Sequence, residues 1–205
     1  MANPPHEILT DAPDAPVLTL PPEEAALVKE RYAAASVILE YGSGGSTLLA
    51  AGEKGKTIFS VESDKDWSAK LGRYFKAHPP EANVVLHTVD VGPTGEWGMP
   101  LDSSGWKKYH EYPLSVWDRP DFTHPDLILI DGRFRAACFV SAALRISRPT
   151  VVLWDDYVNR KSYHEVERWV RPTSFHGRLA RFDLEPITLI GSDLSWAITQ
   201  FTRPL

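Results

Sequence analysis

A glycine-rich turn and one acidic residue are spaced so that the chain could bind a nucleotide. Gly42, Gly44 and Gly45 follow the apolar segment 37–41, and Glu62 ends a second apolar segment 20 positions beyond Gly42. Glycines leave the main-chain N–H groups open to a ligand, and an acidic residue at the end of the next strand can accept hydrogen bonds from a ribose diol. The pattern predicts binding of a cofactor that contains adenosine.

Three further carboxylates, Asp131, Asp155 and Asp156, follow two apolar segments and could bind a cation together. Because the carboxyl ends of parallel strands line the ligand crevice, these side chains should converge on one side of a sheet. Carboxylates brought together without cations repel one another, and Mg²⁺ would remove that conflict by accepting oxygen ligands. A second interpretation stays open, in which Asp155 forms a salt bridge with Arg133 or Arg135 and the arginine competes with the metal.

Apolar periodicity predicts strands that alternate with helices. The predicted strands cover residues 37–41, 57–62, 83–90, a segment that runs into Asp131, 149–157, 179–185 and 194–202. The predicted helices cover residues 21–35, 46–51, a segment from the N-cap Ser63 to His78, 135–147 and 161–170. Such alternation implies a parallel sheet with both faces covered, and the last two strands, which have no helix between them, predict a hairpin at one edge.

The glycine turn resembles motif I of the class I S-adenosylmethionine-dependent methyltransferases, which reads acidic-x-Gly-x-Gly. Glu40 supplies the acid two residues before Gly42, whereas a dinucleotide fingerprint needs a third glycine where Thr47 stands. The resemblance implies an α/β protein with the three-layer Rossmann-like methyltransferase fold, whose mostly parallel seven-stranded sheet ends in an antiparallel edge hairpin.

The same resemblance implies a binding site for S-adenosyl-L-methionine. Its residues would be Glu40, Gly42, Ser43, Gly44, Ser46, Glu62 and Asp90. In this assignment Ser46 caps the helix that follows the turn, Glu62 takes the ribose hydroxyls and Asp90 contacts the adenine.

The strand ends are similar to those of metal-dependent O-methyltransferases of the catechol and caffeoyl-coenzyme A type, and to those of antibiotic sugar O-methyltransferases. This resemblance implies that Asp131, Asp155 and Asp156 hold Mg²⁺, which binds two adjacent substrate hydroxyls and lowers the pKa of the one to be methylated. Asp131 and Asp155 would then be catalytic, with His110 or Lys108 as the general base.

Residues 91–125 are too many for an ordinary loop and are rich in Gly, Pro and Trp. We expect a lid-like insertion in which Trp97, Trp106 and Trp117 cover a flat acceptor, with a self-packed loop or a homodimer contact as the alternative. The remaining organisation is predicted to be an irregular arm over residues 1–20 and a single methyltransferase domain over 21–205.

The charge, cysteine content and hydropathy of the chain argue against several classes of function. The 205 residues carry a formal charge of −5, which argues against a nucleic-acid surface, and a single cysteine, which rules out an intrachain disulfide. No apolar run is long enough to span a bilayer and the polar N-terminus does not read as a signal peptide, so we expect a cytoplasmic protein without a membrane partner. The predicted reaction is methyl transfer to a small molecule, with a hydroxyl oxygen as the favoured acceptor atom. The alternatives are a non-catalytic cofactor-binding module and a nicotinamide-dependent oxidoreductase.

Overall fold

The computed structural model describes residues 15–205, in which seven strands form one sheet. The strands are β1 (Val37–Tyr41), β2 (Thr57–Glu62), β3 (Asn83–Thr88), β4 (Leu127–Ile130), β5 (Thr150–Trp154), β6 (Ser174–His176) and β7 (Leu179–Leu184). Their spatial order is β3-β2-β1-β4-β5-β7-β6. The first five strands are parallel, and β7 pairs antiparallel with both β5 and β6. The predicted fold class is therefore confirmed.

Helices cover the sheet and begin where the local sequence favours it. They are α1 (Pro22–Ala34), α2 (Gly45–Ala51), α3 (Lys65–Ala77), α4 (Glu111–Leu114), α5 (Arg135–Arg145) and α6 (Leu194–Gln200), with 3₁₀ turns that include Lys161–Arg168. The N-cap of α3 is Asp64 and not Ser63 as predicted, because the Asp64 carboxylate accepts the N–H groups of Asp66 and Trp67, each at 2.9 Å. Within residues 15–205, no helix is both long and apolar enough to cross a membrane.

Alternate residues of the central strands pack into two separate apolar layers, as the two-residue period of a strand requires. On one face lie Ile38, Leu129 and Leu153 with Val28 and Tyr32 of α1, and on the other lie Leu39, Ile128 and Val152 with Phe139 of α5. All of these side chains are fully buried. Burial on both faces explains why these strands read as continuous apolar runs in the sequence.

The edge hairpin exists, but its position differs from the prediction. It is formed by β6 and β7 around a turn at Gly177, whose φ of 55° is in the left-handed region. The segment 194–202, predicted as a strand, instead forms α6 and the turn after it. Apolar residues at positions 194, 197, 198 and 201 follow the helical period, and Ala197 is buried. The prediction was wrong because alternation at 194, 196 and 198 fits a strand equally well.

Two irregular segments also contribute to the core. Residues 1–14 of the predicted arm lie outside the described part of the chain, whereas Leu18 and Leu20 from its end pack in the layer under α1. In the predicted insertion, Tyr112 and Trp117 are buried against the opposite layer, while the Trp97 side chain is 77% exposed. Much of residues 91–125 therefore packs as part of the domain.

Candidate functional site

A cavity of about 760 Å³ opens at the carboxyl ends of the parallel strands. The turns after β1, β2, β4 and β5 all contribute to its lining, together with the N-terminal segment 17–20 and the turn between β6 and β7. Its position is the one at which open α/β sheets bind ligands.

The glycine turn after β1 packs against the turn after β4 with no side chain between them. Gly42 has a φ of 102°, and a Cβ added to it would lie 2.7 Å from the backbone nitrogen of Gly132. Its own N–H donates to the carbonyl of Val61 at 2.9 Å. A side chain at Gly42 is thus excluded both by backbone conformation and by space. This contact places the end of β4, and with it Asp131, directly beside the glycine turn.

Glu40 lies beneath the turn and does not line the cavity. Its fully buried carboxylate accepts hydrogen bonds from the hydroxyls of Tyr32 at 3.1 Å, Ser60 at 2.7 Å, Ser46 and Thr47. Burial raises the pKa of Glu40, and these four hydroxyls act in the opposite direction. The geometry indicates that Glu40 fixes the turn to α2 and β2.

The start of α2 differs in one detail from the prediction. Its N-cap is Gly44, whose N–H donates to the hydroxyl of Thr47 at 2.9 Å, so Ser46 is not the capping residue. Ser46 lies inside the first turn, where its hydroxyl reaches Glu40 and its surface contributes to the cavity lining. Gly42, Ser43 and Gly44 line the cavity as well.

Glu62 is a cavity residue held by backbone donors. Its carboxylate accepts N–H groups from Ser43 at 3.2 Å, Ser63 at 2.7 Å and Asp64 at 2.8 Å, and the residue is 8% exposed. Burial raises the pKa of Glu62, while these N–H donors act to lower it. An ionised carboxylate has about four lone-pair sites, so acceptor capacity remains on the cavity side.

Part of the 91–125 insertion lies beside Glu62 and contributes to the cavity lining. Trp97 lines the cavity next to Gly98, whose carbonyl accepts the hydroxyl proton of Ser63 at 3.0 Å. Trp67 of α3 also lines the cavity and donates its indole N–H to the carbonyl of Ser43 at 2.8 Å. Ser63 and Trp67 were not predicted to be cavity residues, because neither belongs to the glycine motif.

Two predicted site residues lie away from the cavity lining. The Asp90 carboxylate accepts hydrogen bonds from Lys108 at 2.7 Å and Lys65 at 3.0 Å, and these lower the pKa of Asp90. His110 is exposed at the surface of the insertion. Neither Asp90 nor His110 is therefore among the residues that line the cavity with Glu62.

The three aspartates converge as predicted, but arginines accompany them. Asp155 is fully buried and forms a two-point ion pair with Arg178, at 2.9 Å to Nε and 2.7 Å to Nη2. Asp156 contacts Arg160 at 3.0 Å, Arg178 at 3.2 Å and Arg135 at 3.3 Å.

Asp131 completes this cluster through Arg135. The Arg135 guanidinium lies 3.2 Å from the Asp131 carboxylate and also donates to the backbone carbonyls of Asp131 and Asp155, at 2.8 and 2.6 Å. Arg135 is 3% exposed, so it ties the ends of β4 and β5 together from within. Asp131, Asp155, Asp156, Arg135, Arg160 and Arg178 all line the cavity.

The pKa values of Asp131 and Asp155 are shifted in opposite directions. Burial raises the pKa of Asp131, and the adjacent Asp155 carboxylate raises it further. Burial also disfavours the ionised form of Asp155, but the ion pair with Arg178 more than offsets this, and the pKa of Asp155 is lowered. Of the two carboxylates, Asp131 therefore takes up a proton more readily.

The predicted Mg²⁺ site is not supported by this arrangement. Among residues 15–205, no group of three or more His, Cys, Asp or Glu side chains could hold a metal ion. Guanidinium groups lie 2.7 to 3.2 Å from carboxylate oxygens of Asp131, Asp155 and Asp156, where a metal would need to bind. Arginine charge removes the repulsion that the metal was predicted to remove, as in the second interpretation, although the side-chain partner of Asp155 is Arg178 and not Arg133 or Arg135.

One solved structure is similar to the chain over almost its whole length. It is a methyltransferase-like protein from Silicibacter pomeroyi, with 43% sequence identity and a TM-score of 0.89, and the match covers 93% of this chain and 100% of that chain. No protein-family model and no curated protein sequence matches the chain.

Two more distant structures share the fold. A methyltransferase from Geobacter sulfurreducens has 10% identity and a TM-score of 0.52, over 79% of this chain and 78% of that chain. A protein from Staphylococcus aureus, described as a caffeoyl-coenzyme A O-methyltransferase, has 15% identity and a TM-score of 0.52, over 76% of this chain and 80% of that chain.

Proposed function

The chain belongs to the class I S-adenosylmethionine-dependent methyltransferases, and from that premise we propose that it methylates a hydroxyl oxygen of a small molecule without a metal ion. S-adenosylmethionine, when bound, supplies an electrophilic methyl group on a sulfonium. The described residues fit such a ligand, because a cavity of about 760 Å³ is of ordinary size for a small-molecule site and combines a glycine turn with an acidic corner.

The observation that carries the cofactor assignment is the placement of Glu62. Its carboxylate lines the cavity at the end of β2, while three backbone N–H donors fix its orientation. No ion pair involves it within residues 15–205, and the one acceptor site that its three N–H donors leave can accept a hydroxyl group of a ribose. The Gly42–Gly44 backbone would lie along the methionine part, where only glycine permits a close approach.

Asp131 is our candidate for the general base. It lines the cavity on the β4 side of the glycine turn, because Gly132 packs against Gly42. The raised pKa of Asp131 makes its ionised form a stronger base, and this form can accept the proton of an acceptor hydroxyl as the oxygen attacks the methyl carbon and the carbon–sulfur bond breaks. His110 is too exposed for this role, and both carboxylate oxygens of Asp155 accept hydrogen bonds from Arg178. Asp131 is less constrained, because Arg135 donates to its backbone carbonyl and lies 3.2 Å from one carboxylate oxygen.

Nicotinamide chemistry, the other enzyme class suggested by the glycine turn, fits less well. The dinucleotide-binding fold has a parallel sheet in the order 3-2-1-4-5-6, whereas β7 runs antiparallel between β5 and β6 here. Thr47, at the position of the third fingerprint glycine, is buried and bonded to Glu40.

Calorimetric titration tests the cofactor half of the proposal. We expect heat on addition of S-adenosylhomocysteine and none on addition of NAD to the full-length protein. Absence of binding by S-adenosylhomocysteine to protein with a cooperative unfolding transition would contradict the proposal.

Transfer of a radiolabelled methyl group to a panel of hydroxyl, amine and carbon acceptors tests the acceptor half. Asp131→Asn should keep affinity for S-adenosylhomocysteine and lose about 10²–10⁴-fold in the transfer rate, the usual contribution of a positioned base. Unchanged transfer by Asp131→Asn would show that another group accepts the proton.

A further inference from the structure

The positive and negative charges of the side chains near the ends of β4 and β5 in the cavity do not cancel. Four arginines line this part of the cavity (Arg133, Arg135, Arg160 and Arg178), against three aspartates (Asp131, Asp155 and Asp156). Three of the arginines form the ion pairs described above. Arg133 is left over, so the site has one cation more than its carboxylates compensate.

Within residues 15–205 the Arg133 guanidinium has no hydrogen bond and no ion pair, and its Nε is buried without a partner. A buried polar group without a partner is costly and therefore unusual in a folded protein. The environment thus disfavours the cation as it stands, and an anion in the cavity would stabilise it.

The backbone holds Arg133 in this position. Its N–H donates to the hydroxyl of Tyr112 at 3.3 Å, and its carbonyl accepts from the thiol of Cys138 at 3.4 Å. The next residue, Phe134, has a φ of 51° and is fully buried, which fixes the direction in which the chain enters α5. Arg133 is therefore presented to the cavity by a rigid segment.

Arg133 belongs to the part of the cavity away from the proposed ribose site. Arg133 follows β4, whereas Glu62 ends β2. β1, which carries the glycine turn, lies between these two strands, and two strand spacings correspond to about 10 Å across the sheet. A group bound by Arg133 would lie on the acceptor side of the transferred methyl group.

We propose that the methyl acceptor of this enzyme carries an oxyanion, a carboxylate or a phosphate, and that Arg133 binds it. A guanidinium presents parallel N–H donors that match the oxygens of either group, which a point charge does not. The inference rests on the proposed function, because it assigns the acceptor of that same site. Arg135, Arg160 and Arg178 are each already paired with an aspartate, so the proposal gives them no second role.

The first experiment measures anion binding without methyl transfer. In the presence of S-adenosylhomocysteine, the unfolding temperature is compared in phosphate, in benzoate and in chloride at equal ionic strength. We expect phosphate or benzoate to raise it in the wild type, and whichever does so identifies the preferred oxyanion. Arg133→Gln should abolish that rise, whereas Arg171→Gln, which removes an exposed arginine outside the cavity lining, should not.

The variants also separate the acceptor from the cofactor, which has a carboxylate of its own. Arg133→Gln should bind S-adenosylhomocysteine as the wild type does, and Arg133→Lys should recover part of the anion effect. A loss of about tenfold or more in S-adenosylhomocysteine affinity would assign Arg133 to the cofactor instead and overturn the inference. The inference would also be overturned if neither anion raised the unfolding temperature of the wild type, or if the rise were the same in Arg133→Gln.

A panel of acceptors then tests the inference in turnover. Hydroxylated carboxylic acids or hydroxylated phosphates should exceed neutral alcohols in kcat/KM, and Arg133→Gln should remove about 10- to 100-fold of that preference, mainly through KM. If neutral alcohols react as well as the anions, the inference fails while the proposed function stands. If nothing is methylated and S-adenosylhomocysteine does not bind, the proposed function fails, and the anion shifts report on Arg133 independently.

Discussion

The two ends of the cavity stabilise their carboxylates in different ways. At the β2 end, Glu62 in the cavity and Glu40 beneath the glycine turn are held by neutral donors, namely backbone N–H groups and hydroxyls. At the β5 end, Asp155 and Asp156 are held by guanidinium groups. Neutral donors leave the negative charge of Glu62 uncompensated and ready for the hydroxyls of a ligand. Ion pairs use the carboxylate oxygens, so the aspartates are poor metal ligands and the surplus charge is positive.

The glycine contact between the two ends should give the largest effect. Gly42→Ala is expected to destabilise the fold by about 3–5 kcal/mol, since it combines a strained φ with overlap against Gly132. Affinity for S-adenosylhomocysteine should fall with it, because the turn must move. Urea unfolding and calorimetry measure the two quantities.

Gly55→Ala is the matched control for that substitution. Gly55 has a φ of 82°, and a Cβ added to it would meet nothing within 4 Å. Only backbone strain remains, and the expected loss is about 1–2 kcal/mol with normal cofactor affinity. Equal losses for the two variants would mean that close packing between the turns contributes nothing.

The ion-pair end should respond most strongly at Arg178. Arg178→Gln leaves the fully buried Asp155 without its two-point partner, and we expect a loss of about 3 kcal/mol, the lower end for a buried pair because Arg178 is 34% exposed. Urea unfolding measures this loss. Arg181→Gln, on the same hairpin, removes a partly exposed pair with Asp183 and should cost less than about 1 kcal/mol. Similar losses of stability for both variants would show that the Arg178–Asp155 ion pair contributes no more to stability than a partly exposed pair.

The neutral-donor end should respond in ligand affinity. Glu62→Gln keeps the size of the side chain but removes its charge, so affinity for S-adenosylhomocysteine should fall about 10- to 100-fold by calorimetry. Glu53→Gln, which removes a glutamate paired with Lys56 outside the cavity, should leave that affinity unchanged.

A pH series sharpens the test at Glu62. Burial raises its pKa above the ordinary 4.5, and the ionised form is the one that accepts ribose hydroxyls. Cofactor affinity of the wild type should therefore weaken as pH falls through this raised pKa, at a higher pH than for an ordinary glutamate. Glu62→Gln should show no such decline. A decline of equal size in Glu62→Gln would assign it to another group.

The smallest effect is expected from metal removal. Because arginines already compensate Asp131, Asp155 and Asp156, methyl transfer should proceed at the same rate with EDTA as without it. A rate that is lost in EDTA and restored by Mg²⁺ would contradict this prediction and would show that a metal ion takes part at the aspartate end of the cavity.

Most of the sheet could be predicted because a strand buried on both faces is a continuous apolar run, as in β1, β4 and β5. The prediction failed at the C-terminal edge, where 194–202 supports two periods at once and the choice depends on packing against α5. Because of that error Arg178, which lies in the turn of the observed hairpin, was not predicted to be a site residue. Its backbone N–H is held there by Glu24 at 2.8 Å, a contact across 154 positions of the chain.

The sequence by itself determined the glycine turn, Glu40 beneath it and Glu62 at the next strand end, because local spacing and backbone requirements fix these positions. It also determined that three aspartates meet at the strand ends. Only the tertiary structure decided what compensates them, since either a metal ion or an arginine can compensate a carboxylate cluster. The placement of β6 and β7 brings Arg178 to Asp155 and leaves Arg133 without a carboxylate.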